Sequence, residues 1–63
     1  MVGMTGRVSV PVPANGQGEV ILLVRGGSEA YTAYTEGGEA IAKHSRAVVV
    51  EQTGPHTVLV TRC

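Results

Sequence analysis

The chain has 63 residues, with five basic side chains against five acidic ones, 43% hydrophobic residues and 16% charged. So short a chain holds one domain with a small core, and it is too apolar and too weakly charged to read as disordered. The cancelled charge lacks the basic footprint by which nucleic-acid binders release counterions, and two tyrosines are the only aromatics, so the core must be aliphatic and no base-stacking platform is on offer.

The start, Met1-Val2-Gly3-Met4, has neither the charged nor the hydrophobic region of a signal peptide. From Arg7 to Pro13 the residues alternate, with Val8, Val10 and Val12 on one face of a predicted half-buried strand. Pro11 and Pro13 have no N–H to donate, so they belong at an edge or a strand end. Ala14-Asn15-Gly16-Gln17-Gly18 reads as a turn. Glu19 to Arg25 is a second strand. Its centre, Val20-Ile21-Leu22-Leu23-Val24, is wholly apolar, which predicts a strand covered on both faces. That run is also the longest apolar stretch, far short of the ~20 residues that a membrane helix needs, so the chain is expected to be soluble.

Gly26-Gly27-Ser28 ends the second strand, and Glu29 to Thr35 forms a third. Here Tyr31 and Ala33 share one face while Thr32 and Tyr34 share the other. Glu36-Gly37-Gly38-Glu39 breaks it. The connection Ala40 to Ser45 is long enough for one helical turn and too short for an independent helix; Ile41, its one large apolar residue, is expected to plug an end of the core. Arg46 to Gln52 and Thr57 to Arg62 are the fourth and fifth strands, joined by a hairpin connection through Thr53-Gly54-Pro55-His56. Five short strands spaced about ten residues apart, in a chain too small for two sheets, predict a single all-β domain over residues 1–63, curled into a barrel.

Chemistry is sparse. His44, His56 and Cys63 have no short metal-ligand spacing, and both histidines read as exposed loop or turn residues. None of Ser9, Ser28 and Ser45 stands in a nucleophile motif. Glu36 and Glu39 flank two glycines in an exposed loop, and the glycine pairs precede no helix that could cradle a phosphate. No catalytic, cofactor or metal residue is therefore assigned. The single cysteine forms no internal disulfide and is read as a free thiol.

The order Tyr31-Thr32-Ala33-Tyr34, then Ile41-Ala42-Lys43-His44-Ser45-Arg46-Ala47-Val48-Val49-Val50, then Val58-Leu59-Val60, resembles the C-terminal domain of NfeD-like proteins. Gly6-Arg7-Val8 and Gly18-Glu19-Val20 fit the first two strands of that pattern, so the resemblance spans nearly the whole chain. It implies a five-stranded OB-type barrel, the soluble domain of a longer membrane-anchored protein, on the cytoplasmic side. It further implies a non-catalytic role in protein–protein interaction beside the membrane, with stomatin- or flotillin-like partners and no cofactor. One position departs from the pattern: His44 stands where the family usually has glycine. If the turn there needs a positive φ, the histidine costs about 1 kcal/mol.

A different class of function, a free-standing OB-type domain that binds nucleic acid or an oligosaccharide, is the alternative. For the interaction reading, Arg25, Tyr31 and Tyr34 are the candidate partner-binding residues, because arginine and tyrosine combine large contact area with a polar handle. The bland alternative is that one tyrosine completes the core and the other is merely exposed.

Overall fold

The computed structural model describes residues 2–63; Met1, the first residue of the Met1–Met4 start read above, lies outside the described residues. Five strands form: β1 (Thr5–Val10), β2 (Gln17–Val24), β3 (Gly27–Thr35), β4 (Arg46–Gly54) and β5 (Thr57–Arg62). They close into a barrel in the order β1-β2-β3-β5-β4, with β4 returning to β1. All pairings are antiparallel except β3 with β5, which run side by side in the same direction. The all-β, five-stranded barrel is as expected, and its order is that of an OB-type fold.

Closure answers the size problem. A small sheet has edges that invite association, and a barrel removes them while giving every strand one inward face. Inward residues alternate along each strand: Val20 and Leu22 on β2, Tyr31 and Ala33 on β3, Ala47 and Val49 on β4, and Val58 and Val60 on β5. Ile41 closes one end as anticipated, at 2% exposure. It gets there through an antiparallel bridge with Val12, with N–H···O bonds of 2.8 and 2.9 Å, rather than through a helical turn.

Two expectations fail, for separate reasons. Val8 and Val12 are buried, but Val10 is 47% exposed. A β-bulge lets Val8 face Val20 while Val10 already faces Glu19, so the extra residue turns Val10 outward, and Val12 returns to the interior past the end of β1 through its bridge with Ile41. In β2 the apolar run is not covered on both sides. Leu23 is 74% exposed and Ile21 half-buried, because a barrel has one interior and nothing among the described residues packs on the outside of β2.

The turn before β4 explains the departure at His44. Its φ is +73°, and the Ser45 N–H donates to the Ala42 carbonyl at 3.2 Å, so His44 occupies the third position of a turn that favours glycine. The turn is held from outside. His44 N–H donates to Val8 O, and Val8 N–H donates to Ser45 O, both at 2.8 Å. A β-branched residue tolerates this backbone less well than histidine does. His44→Val should therefore lower stability by about 1–2 kcal/mol, roughly 4–8 °C of melting temperature per kcal/mol in so small a domain. His44→Gly should not lower it. Thermal unfolding followed by circular dichroism checks both, and a lower melting temperature for the glycine variant would show that the imidazole itself stabilises the turn.

Candidate interaction surface

The three residues proposed from the sequence do not come together. Arg25 sits with Gly26 in the two-residue turn between β2 and β3, where Gly26 takes a φ of +72°. Tyr34 lies at the opposite end of the same ladder, opposite Gln17. Tyr34 is 40% exposed, and its hydroxyl donates to Gln17 Oε1 at 2.8 Å. Tyr31 points inward and is only 6% exposed, so it completes the core instead of lining a surface. Its hydroxyl reaches the barrel rim and donates to Glu29 Oε1 at 3.0 Å, while its ring lies 5.6 Å from that of His56. The Glu29 carboxylate accepts the phenolic proton's hydrogen bond, and together with desolvation and its own negative charge this holds the Tyr31 hydroxyl above its ordinary pKa.

Two further polar clusters are paired locally. Ser9 Oγ donates to Glu19 Oε1 at 2.7 Å beside the bulge. Arg62 donates to the Ala40 carbonyl from Nε and Nη2, at 3.3 and 3.1 Å, and lies 3.7 Å from Glu39 Oε1. Both partners of that ion pair are well exposed, so it contributes little to stability. Among the described residues no three His, Cys, Asp or Glu side chains converge as metal ligands, and no polar side chain is buried.

A different surface emerges from the register. On the outer face of the barrel, Arg7 of β1 lies between Arg46 of β4 and Ile21 of β2, forming one cross-strand row. Leu23, one outward position further along β2, stands beside that row, and Thr5 and Gly6 complete the lining of a groove of about 330 Å³. Two guanidinium groups directly opposite each other on neighbouring strands repel, which an antiparallel ladder normally avoids. Among the described residues, neither Arg7 nor Arg46 has a carboxylate within ion-pair distance or a side-chain hydrogen bond. Glu19, the nearest acidic residue along β2, is engaged by Ser9. The outer wall of β1, β2 and β4 thus combines exposed aliphatic surface with two uncompensated positive charges. The sequence alone does not reveal it, because the apolar run of β2 reads as a sign of burial and only strand closure brings Arg7 beside Arg46.

No helix among the described residues is long and apolar enough to cross a membrane. The fold matches two solved structures. One is the soluble domain of the NfeD protein YuaF from Bacillus subtilis, with a TM-score of 0.82 and 28% identity over 95% of this chain and 70% of that one. The other is the C-terminal domain of the stomatin operon partner protein 1510-C from Pyrococcus horikoshii, with a TM-score of 0.78 and 27% identity over 100% of this chain and 88% of that one. No curated protein matches the chain. The sequence pattern of the NfeD C-terminal domain matches residues 5–61, which takes in all of the first four strands and nearly all of the fifth. With barrel, strand order and sequence pattern in agreement, the chain belongs to the NfeD C-terminal domain family.

Proposed function

We propose that this barrel is a non-catalytic protein-interaction module, the soluble domain of a longer membrane-anchored protein, working beside the membrane on its cytoplasmic side. Its partners on this reading are stomatin- or flotillin-like proteins. The observation that carries the proposal is the outer wall of β1, β2 and β4, where Leu23 at 74% exposure stands beside the unpaired Arg7 and Arg46. Arginine is enriched where proteins meet, and a small barrel has no internal reason to display it beside exposed aliphatic surface. The partner class is suggested by similarity to a domain of a stomatin operon partner protein.

Titration calorimetry of the chain against the purified soluble domains of stomatin- and flotillin-like proteins from the same genome tests this reading. Saturable binding in the micromolar range is expected, as befits a small, single-module interface. Absence of binding to either class, or turnover of a peptide or ester substrate by the chain, would overturn it.

A further inference from the structure

We infer that the groove between Arg7, Arg46, Ile21 and Leu23 is the docking site for an extended peptide segment that carries a carboxylate beside a large aliphatic or aromatic side chain. The inference rests on the interaction-module reading and assigns it a location and a ligand chemistry. Arg7 and Arg46 face each other across the β1–β4 pairing, so their guanidinium groups offer two adjacent planar forks with no acidic residue among the groove's lining. A carboxylate placed between them relieves their mutual repulsion and accepts charge-assisted hydrogen bonds from both. Beside them Ile21 and Leu23 form an aliphatic ledge, and Leu23 leaves most of its surface in water.

Magnitudes favour a peptide over a membrane surface. Each basic side chain near an anionic bilayer contributes about 1 kcal/mol, so two arginines on a chain of zero net charge would hold it only weakly. A volume of about 330 Å³ falls at the small end of ligand-site sizes and accommodates one side chain with its neighbouring carboxylate. The closed barrel also leaves no free edge on which a peptide could add as a further strand, so recognition has to come from side chains on this wall.

The test is selection of a displayed random 12-residue peptide library on the chain, followed by binding measurements on Arg7→Glu, Arg46→Glu and Leu23→Ser variants. All three positions face outward, so the variants keep the fold, which circular dichroism verifies. The expected result is enrichment of peptides with Asp or Glu next to Leu, Ile or Phe. Their affinity should fall at least tenfold with either charge reversal and with Leu23→Ser, and amide shifts on binding should centre on Arg7, Ile21, Leu23 and Arg46. Peptides without acidic residues that bind the charge-reversed variants equally well would overturn the groove assignment and leave the interaction-module reading standing. Failure to enrich any peptide, with binding only to vesicles containing phosphatidylserine, would overturn both.

Discussion

Replacing Gly18 with alanine should cost the domain about 3 kcal/mol or more and lower its melting temperature by something on the order of 15 °C. Gly18 is buried on the inner side of β2, where the bulge carries Val10 and Pro11 over it. A Cβ at this position would meet the Pro11 carbonyl oxygen and lie 2.5 Å from the Val10 carbonyl oxygen and 2.7 Å from the Pro11 carbonyl carbon. These are backbone atoms. No rotamer change can move them away, so β1 has to shift as a unit, and with it the Val12–Ile41 bridge that closes the end of the core. A domain of this size has only a few kcal/mol in hand. Thermal and urea unfolding of Gly18→Ala measures the loss directly. A change in melting temperature of only a few degrees would mean that the bulge is more pliant than its packing indicates.

Leu22→Ala should be comparably severe, at about 2–5 kcal/mol, enough to leave a substantial unfolded fraction at room temperature. Leu22 is the largest fully buried side chain and sits in the middle of an otherwise Val- and Ala-rich interior. The wall it packs on includes Gly6: a Cβ added there would lie 2.5 Å from Leu22 Cδ2. Because glycine has no side chain to lean into the vacated space, the cavity left by alanine cannot close from that side. Leu22→Met keeps the volume and should cost less than about 1.5 kcal/mol. Urea midpoints of the two variants separate cavity formation from general intolerance at the position. Equal losses would show that shape, rather than volume, is what the site requires.

Much of the barrel was legible because β-strand signals are local. The Tyr31/Ala33 and Thr32/Tyr34 faces, the hairpin at Pro55-His56 and the plug at Ile41 each depend on a few neighbouring residues, and each is found where expected. The positive φ at His44 was also legible, since the family pattern places glycine there. What escaped the sequence reading was long-range. The bulge that turns Val10 outward arises from how β1 meets β2, not from the Val8-Ser9-Val10 alternation itself. The exposure of Leu23 depends on the barrel having a single interior, which a run of apolar residues does not announce. The candidate surface suffered most for this reason. Tyr31 was attractive as an interface residue on its chemistry and is buried by its position, whereas Arg7 and Arg46 acquire their meaning only once β4 returns to β1.

The pairing that closes the barrel also sets the order in which it comes apart. The β2–β3 ladder runs without interruption from Gln17↔Tyr34 to Val24↔Gly27 around a tight turn, so it forms early and cheaply in chain entropy. The β1–β4 ladder, Thr5↔Val48 to Arg7↔Arg46, is extended at both ends by backbone hydrogen bonds and joins the paired strands that lie furthest apart in the sequence. A pairing between distant partners costs the most chain entropy to close, so it is the one most readily lost in partial opening below the global transition. The Arg7–Arg46 pair sits on that seam, and its repulsion adds to the tendency to part. An anion bridging the two arginines would thus act as a clasp on the pairing that closes the barrel, tying the occupancy of the groove to the lifetime of the folded chain.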